Sequence, residues 1–183
     1  MAPDLHCDPQ IRFRPLAVGD LELMHRWLND DFVARWWPGW PSLEQVREKY
    51  VPRIEGRDPT KCYIIELGAA AIGFIQRYRV IDDPNLRSLI DEPERAGGID
   101  IFLGDRRYAY RGLGPRVIRQ FLRERVFDLP ATNLCMIDPP QNNLAAIRAY
   151  EKVGFHYLAT VHASGELEPS HVMILRREEL RDE

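Results

Sequence analysis

The sequence has little of what marks a secreted, nucleic-acid-binding or membrane-spanning protein. Its cysteines, Cys7, Cys62 and Cys135, are odd in number and widely spaced among 183 residues, which favours free thiols in a cytoplasmic protein over a disulfide framework. The formal net charge is only -3, so no strong electrostatic attraction to nucleic acid or to a membrane surface is expected. The apolar runs are far too short to span a bilayer. We therefore expect a cytoplasmic protein whose partners include neither nucleic acid nor a membrane.

The motifs of two common kinds of active site are also missing. The histidines show no metal-ligand spacing, so a zinc site is not expected. They are His6, His25, His156, His162 and His171. No Gly-x-Ser-x-Gly motif or Cys–His arrangement indicates a covalent acyl-enzyme. A metal-free reaction without a covalent enzyme intermediate is the expectation.

Length and composition fit one globular domain. A chain of 183 residues buries about 70% of its surface on folding, and a hydrophobic share of 45% is ordinary for such a domain. Residues 1–10 contain no basic stretch followed by an apolar core, so we expect a loose N-terminal leader without a secretory signal. Residues 11–183 contain no repeat or linker and are predicted to form a single domain.

Hydrophobic patterning predicts the element order β-α-α-β-β-β-α-β-α-β-β, which is a mixed α/β domain. Strands are predicted over 11–16, 61–67, 71–80, 98–103, 133–137, 155–162 and 171–175. Helices are predicted over 19–28, 42–51, 117–129 and 143–153. Residues 81–97 form a long, acidic and irregular segment, and such segments inside a compact domain are more often functional than not.

The last predicted helix carries a tyrosine on its inner side. Asn143 can cap its start with a side-chain oxygen, and Gly154 suits the left-handed position that ends helices. The residues that share the inner face are Ala146, Ile147, Ala149, Tyr150 and Val153. Tyr150 is therefore predicted to point inward. A purely structural helix needs no phenol there, whereas a helix beside a reacting thiolate has a use for one.

A glycine-containing loop, residues 110–115, precedes the third long helix. Gly112 and Gly114 let backbone N–H groups approach a ligand closely, and the helix start that follows attracts anions. Pro115 is welcome in a first helical turn. The loop predicts a pyrophosphate cradle. An ordinary glycine turn is the alternative, and it would be preferred if the downstream helix motif were absent.

Together the two motifs resemble the Gcn5-related N-acetyltransferase (GNAT) superfamily. The matching residues are Arg111-Gly112-Leu113-Gly114 and Asn143…Tyr150-Glu-Lys-x-Gly154-Phe155, and the resemblance extends over residues 11–175. Further segments are similar to the aminoglycoside 6'-N-acetyltransferases, namely Arg26-Trp27-Leu28-Asn29 with Trp36-Trp37, Gly98-Ile99-Asp100 and Asp138-Pro139. Acyltransferases of siderophore biosynthesis share part of this pattern, including a Gly-x-Gly-Pro loop.

The resemblance implies a mixed, mostly antiparallel central sheet flanked by helices. Acetyl-CoA, the co-substrate, would lie in the splay between the two central strands, and no metal is implied. The residues that the resemblance assigns to acetyl-CoA are Ile101, Phe102, Leu103, Tyr110, Arg111, Gly112, Leu113, Gly114 and Asn143.

Two residues acquire catalytic roles from the same resemblance. Tyr150 would protonate the leaving thiolate, and a positioned general acid contributes roughly a hundredfold or more. A core tyrosine is the alternative. Asp100 would act as a general base, directly or through water, or would anchor the cationic amine. An ordinary exposed strand aspartate is an equally open interpretation.

The acceptor site is predicted from tryptophans and carboxylates. The tryptophans are expected to form a wall for sugar rings or a cation, or to pack over the core. Residues 82–94 carry five carboxylates and would form an acidic lid over a polycation, or a solvated loop. Asp138 would hold a second amine or simply begin a turn. The residues assigned to the acceptor are Trp36, Trp37, Asp91, Glu92, Asp100 and Asp138.

The sequence thus predicts an N-acetyltransferase that acts on a small cationic amine. The first expectation is acetylation of the 6'-amine of an aminoglycoside by direct attack in a ternary complex, which would make it an antibiotic-resistance enzyme. The alternatives are an acyltransferase for hydroxylysine-type siderophore precursors and a non-catalytic acyl-CoA-binding domain. The protein is expected to be a monomer or a homodimer.

Overall fold

A computed structural model describes residues 10–40, 42–109, 111–162 and 168–181. The leader predicted for residues 1–10 lies outside this range except for Gln10, and so does Tyr110 of the glycine loop. No helix in the described part of the chain is long and apolar enough to cross a membrane.

Seven strands form one sheet. They are β1 (Ile11–Pro15), β2 (Lys61–Leu67), β3 (Ala70–Arg79), β4 (Ala96–Leu103), β5 (Leu134–Ile137), β6 (His156–Val161) and β7 (Ser170–Arg176). Their spatial order is β1-β2-β3-β4-β5-β7-β6. Every neighbouring pair is antiparallel except β4 and β5, which are parallel. The predicted mixed, mostly antiparallel sheet is confirmed.

Five helices flank the sheet in the described chain. They are α1 (Leu21–Leu28), α2 (Asp31–Ala34), α3 (Leu43–Ile54), α4 (Leu113–Phe121) and α5 (Leu144–Val153). Helices α1 and α3 pack on one face of the sheet, against Ile64, Phe74 and Phe102. Helices α4 and α5 pack on the other face, against Ile65, Ile75 and Ile99. The alternation of these strand residues explains why both faces are covered.

Two helices have bounds that differ from those their patterns predict, and the α4 helix with its π-helical turn ends at Val126 rather than Leu129. Helix α3 continues past Val51 to Ile54 and contains Pro52, because a proline near the end of a helix removes only one backbone hydrogen bond. Helix α4 begins at Leu113 rather than Val117, since Gly112 takes a left-handed conformation (φ 75°) as its N-cap. The α4 helix then continues as a π-helical turn, Leu122–Val126.

The central pair of strands separates after a short contact. Strand β4 pairs with β5 only through Ala96, Gly97 and Gly98, although β4 continues to Leu103 and stays paired with β3 along its length. The second half of β4 therefore has a free backbone edge beside the start of α5. This gap in the sheet is where the two cavities described below meet.

A close contact at Gly98 fixes the path of β4, which gives a prediction. A Cβ atom placed on Gly98 would lie 2.2 Å from Cζ of Tyr78, its cross-strand partner. Gly98→Ala is therefore expected to lower the free energy of unfolding by about 2 kcal/mol, as overpacking of a filled site does. Urea denaturation measures this loss.

The control for this prediction is Gly19→Ala, because a Cβ atom there would have no neighbour within 4 Å. The unfolding midpoint of Gly19→Ala should stay near that of the wild type. Equal midpoints for the two variants would contradict the close packing of Tyr78 on Gly98.

Candidate functional site

A groove on one side of the gap, which we call the glycine-loop cavity, has a volume of about 520 Å³. Its walls come from the second half of β4, the start of α4, one side of α5 and the short helix α2. The lining residues from the two motifs are Gly112, Gly114, Asn143 and Tyr150, and β4 adds Ile101, Phe102 and Leu103. The glycine motif and the helix motif, about thirty positions apart in the sequence, thus face one cavity.

The glycine loop presents a helix start to this cavity. Because Gly112 is the N-cap of α4 and has no side-chain cap, N–H groups of the first turn are available to an anion. The Leu113 side chain is buried in the core, so only its backbone is available to a ligand. Arg111 is exposed and is not among the residues that line the cavity.

Helix α5 carries Asn143 and Tyr150 to the junction. The side chain of Asn143 accepts a hydrogen bond from the Ala146 N–H at 3.2 Å, and Gly154 ends the helix with a φ of 117°. Tyr150 is only 8% exposed, as its inward orientation predicts. Burial, reinforced by the Asp100 and Asp138 carboxylates, raises the pKa of Tyr150 well above its ordinary value. The phenol is therefore a neutral proton donor at physiological pH.

A second cavity of about 640 Å³ opens on the other side of the gap. We call it the aspartate cavity, because Asp100 and Asp138 both line it. Six residues line both cavities: Trp36, Trp37, Ile101, Asn143, Ala146 and Tyr150. Tyr150 thus lies where a ligand in one cavity would meet a ligand in the other.

Asp100 is a wall of this cavity and not an exposed strand residue. One carboxylate oxygen, Oδ2, accepts a hydrogen bond from Gln76 Nε2 at 2.6 Å. Burial raises the pKa of Asp100, while the Gln76 hydrogen bond and the charges of Arg53 and Lys49 oppose that rise. A carboxyl group with a raised pKa is a stronger base when ionised than one in water.

Asp138 follows β5 and begins the Pro139-Pro140 turn. The turn is tied to β7, because the His171 N–H donates to the Pro139 carbonyl at 2.8 Å. Asp138 and Asp100 thus come from different strands to one cavity, as the resemblance implied.

Trp36 and Trp37 both line the cavities, and Trp37 also packs over the core. Trp37 packs edge-on against Phe102 and Phe74, with ring centroids 5.0 and 6.0 Å away, and it lines both cavities. Trp36 also lines both, and the Arg35 guanidinium lies 4.9 Å above its ring. Core packing therefore holds Trp37 in place as part of the cavity wall.

Asp91 and Glu92 lie outside the site predicted for them. Both are exposed, and neither is among the residues that line the two cavities. The acidic segment is anchored elsewhere by Val80 and Leu86, which are buried in a separate cluster. Glu92 pairs with Arg95 at 3.4 Å. In this structure the two carboxylates are therefore not part of the aspartate cavity.

Two arginines that follow β4 are also engaged away from the glycine-loop cavity. Arg106 pairs with Asp30, and Arg107 pairs with Asp105, both at 2.7 Å. The cations that do line this cavity are Arg148 and Lys152 of α5. The two residues are four positions apart in the sequence, and this spacing puts both on one side of a helix.

The aspartate cavity contains further polar residues that the sequence did not reveal. Arg35, Lys49, Tyr50 and Gln76 all line it. Partial burial and the neighbouring Arg53 lower the pKa of Lys49. The Tyr50 hydroxyl is buried without a hydrogen-bond partner in the described chain. Periodicity marks Tyr50 and Gln76 as inward-facing but gives no sign of what they face.

No group of three or more histidine, cysteine, aspartate or glutamate side chains among the described residues could hold a metal ion.

Comparison with known proteins gives consistent matches. The acetyltransferase (GNAT) domain family matches residues 17–163. Aminoglycoside N(6')-acetyltransferase type 1 of Klebsiella pneumoniae is 30% identical over 154 residues, which cover 82% of this chain and 76% of that protein. The lysine N-acyltransferase MbtK of Mycolicibacterium paratuberculosis is 26% identical over 165 residues, covering 85% of this chain and 70% of that protein.

The fold is also similar to a solved structure of an aminoglycoside acetyltransferase. The crystal structure of aminoglycoside acetyltransferase AAC(6')-Ib with coenzyme A and kanamycin superimposes with a TM-score of 0.82 at 30% identity. The match covers 93% of this chain and 96% of that one.

Proposed function

The chain belongs to the acetyltransferase (GNAT) family, and we propose that it transfers the acetyl group of acetyl-CoA to a primary amine of a small cationic molecule. The first candidate for that amine is the 6'-amine of an aminoglycoside. The observation that carries the proposal is the position of Tyr150, at the junction of the glycine-loop cavity and the aspartate cavity. A proton donor there can serve a thioester that enters from one side while an amine enters from the other.

The glycine-loop cavity fits acetyl-CoA. The first-turn N–H groups of α4 suit a pyrophosphate, and Arg148 and Lys152 line the same cavity as cations. The free backbone edge of β4 over Ile101 to Leu103 suits an extended pantetheine arm with amide groups. When it is bound, acetyl-CoA supplies an activated acyl group, and the protein orients it.

The reaction we propose is direct. The neutral amine attacks the thioester carbonyl carbon, a C–N bond forms, and the C–S bond breaks. Tyr150 gives its proton to the departing sulfur, and its raised pKa keeps that proton in place until the sulfur becomes basic. Asp100 first holds the ammonium and takes one proton from it, directly or through water, which gives the neutral amine. The second proton leaves the nitrogen after the C–N bond forms and restores the Tyr150 phenol, and Asp100 releases its proton to solvent.

The acceptor side is acidic in composition. Asp100, Asp138 and Glu168 line the aspartate cavity, and several carboxylates suit an acceptor with several ammonium groups. Trp36 and Trp37 give flat surfaces against which a sugar ring or a cation packs. The similarity to the aminoglycoside N(6')-acetyltransferase of Klebsiella pneumoniae and to the kanamycin complex supports an aminoglycoside as that acceptor.

The test of the proposed function is an activity matrix of amines against acyl-CoA thioesters. We expect turnover of kanamycin-type amines with acetyl-CoA and a loss of rate as the acyl chain lengthens. Binding of acetyl-CoA without turnover of any amine would replace the proposal with a non-catalytic acyl-CoA-binding domain.

A second candidate is an acyltransferase for an amine that also carries a carboxylate, such as a hydroxylysine-type siderophore precursor. The observation that favours it is the presence of Arg35 and Lys49 in the aspartate cavity, because a polycation gains nothing from two positive side chains. The similarity to MbtK agrees with this candidate. In the same activity matrix, it predicts a preference for lysine derivatives and longer acyl chains.

Asp138 provides a prediction about acceptor affinity. If its carboxylate binds a second amine, Asp138→Asn should raise the KM of a polyamine acceptor roughly ten- to a hundredfold, because a hydrogen bond to a charged group is worth about 1.5–3 kcal/mol. The kcat should change little, since the residue is not assigned a proton. Steady-state kinetics with the best acceptor measure both constants.

The comparison variant is Asp91→Asn, which removes an exposed carboxylate of the acidic segment. Its KM should match that of the wild type. A larger increase in KM for Asp91→Asn than for Asp138→Asn would instead support the acidic lid that the sequence predicted.

A further inference from the structure

A chain of buried polar contacts leads from α3 to Asp100. Arg53, in the last turn of α3, donates from Nη1 to Gln76 Oε1 at 2.7 Å. Gln76, on β3, donates from Nε2 to Asp100 Oδ2 at 2.6 Å. On its other side, Arg53 pairs through Nε with Asp58 Oδ2 at 3.3 Å. Three parts of the fold are thus linked to one carboxylate by side-chain hydrogen bonds.

Arg53 decides which way the Gln76 amide faces. A glutamine amide has an accepting oxygen at one end and a donating nitrogen at the other. A guanidinium only donates, and an ionised carboxylate only accepts. With Arg53 on one side and Asp100 on the other, the oxygen must face Arg53 and the nitrogen must face Asp100. The weak donor Cys62 Sγ lies 3.6 Å from the same oxygen and favours the same orientation.

The Gln76 side-chain amide has little freedom to take the opposite orientation. Gln76 is 7% exposed, so water cannot replace its partners cheaply. Arg53 is itself held by Asp58, which accepts from the Thr60 N–H at 2.8 Å. The hydrogen bond from Gln76 is the one that the Asp100 carboxylate makes within the described chain, and it engages Oδ2. The second oxygen, Oδ1, has no such partner there.

We propose that Arg53 and Gln76 are positioning residues, which hold the Asp100 carboxylate with one oxygen engaged and the other turned to the acceptor amine. The assignment of an amine to Asp100 rests on the proposed function. The hydrogen bonds that join Arg53, Gln76 and Asp100 do not depend on the proposed function. Neither Arg53 nor Gln76 needs to touch the reacting atoms for this purpose.

The charges around Asp100 show that Arg53 and Gln76 affect its pKa as well as its orientation. Lys49 and Arg53 on α3 face it as cations, and Asp83 faces it as an anion. Other titratable groups around it are Tyr50 on α3, Cys62 on β2, Tyr78 on β3, Cys135 and Asp138 at β5 and Tyr150 on α5. Burial raises the pKa of Asp100, and Gln76 and Arg53 limit that rise. Without them, the carboxylate would hold its proton to a higher pH.

Gln76→Glu and Arg53→Ala test this arrangement. The glutamate keeps the shape of the amide but puts a second carboxylate next to Asp100, and like charges in contact raise one of the two pKa values strongly. Arg53, which lies 2.7 Å from Gln76 Oε1, would keep the new glutamate ionised, so we expect the pKa that rises to be that of Asp100, by about one unit or more. A smaller rise is expected in Arg53→Ala. The matched control is Arg57→Ala, an exposed arginine nearby that pairs with Glu55.

The primary measurement is a carbon-13 NMR titration of the Asp100 carboxyl group in the full chain, with the resonance assigned through Asp100→Asn. It needs no acceptor and no turnover. Circular dichroism establishes that each variant is folded, and if Arg53→Ala is unfolded, the near-isosteric Gln76→Glu decides alone. An Asp100 pKa that stays at the wild-type value in folded Gln76→Glu overturns the proposal.

Kinetics separate this proposal from the proposed function. With an active acceptor, the acid limb of kcat/KM should move to higher pH in Gln76→Glu and Arg53→Ala but not in Arg57→Ala, while the affinity for acetyl-CoA stays unchanged. A shifted NMR titration in a protein that acetylates no amine would support the positioning residues and refute the proposed function. Normal turnover with an unshifted titration would support the proposed function and refute the positioning residues.

Discussion

Replacing Tyr150 with phenylalanine is expected to lower kcat by roughly a hundredfold, which is the usual contribution of a positioned general acid. The substitution removes only the hydroxyl, and the ring stays packed against Phe155 at a centroid distance of 5.9 Å. Folding and acetyl-CoA affinity should therefore be preserved. Stopped-time assays at saturating acetyl-CoA measure the rate, and calorimetry measures the binding.

The control for this result is Tyr157→Phe on β6. Tyr157 is 53% exposed, and its hydroxyl contacts Thr160 at 3.0 Å, away from both cavities. Its kcat should equal that of the wild type. If Tyr150→Phe kept kcat within twofold, the phenol would be a packing residue and the sulfur would need another proton donor.

The raised pKa of Tyr150 also sets the alkaline behaviour of the enzyme. A general acid works below its own pKa, so a raised value extends its working range to higher pH. We therefore expect no loss of kcat as the pH approaches the ordinary titration range of tyrosine, near 10.

Replacing Asp100 with asparagine is the second change with a large expected effect. We expect kcat/KM at neutral pH to fall by roughly a hundredfold, the range for loss of a general base. The acid limb of the pH profile should disappear with it. Because burial raises the pKa of Asp100, the wild-type rate should increase with pH through a value above the ordinary carboxyl range, since only the ionised form accepts a proton.

The kinetic constants distinguish the two roles considered for Asp100. A base is expected to affect kcat, whereas an anchor for the ammonium is expected to raise KM and spare kcat. The exposed Asp128 provides the matched control, Asp128→Asn, in which neither constant should change. An unchanged pH profile in Asp100→Asn would assign the acid limb to another group.

Local patterns predicted the parts of the site that depend on neighbours in the sequence. Asn143 caps α5, Gly154 ends it, and Tyr150 lies on its buried side, because capping and helical periodicity act within one or two turns. Gly112 opens α4 for the same kind of reason. The left-handed conformation at the start of α4 therefore depends on Gly112 itself.

The acidic segment was less predictable. Its carboxylates suggested a lid, but the segment follows Val80 and Leu86 into a cluster with Leu134 and Val172. Those partners are far away in the sequence, and nothing in the local charge pattern identifies them. That packing leaves Asp91 and Glu92 exposed to solvent.

The sequence by itself determined the order of the strands and the long helices and the two motifs, since each follows from hydrogen bonding and periodicity over a few residues. Only the tertiary structure decided where these pieces meet. Pairing of β4 with β5 ends at Gly98, which opens the gap at which both cavities reach Tyr150. The register of β3 and β4 places Gln76 opposite Asp100 and so determines the surroundings of that carboxylate. Register and burial depend on contacts between distant residues, and those contacts exist only in the folded chain.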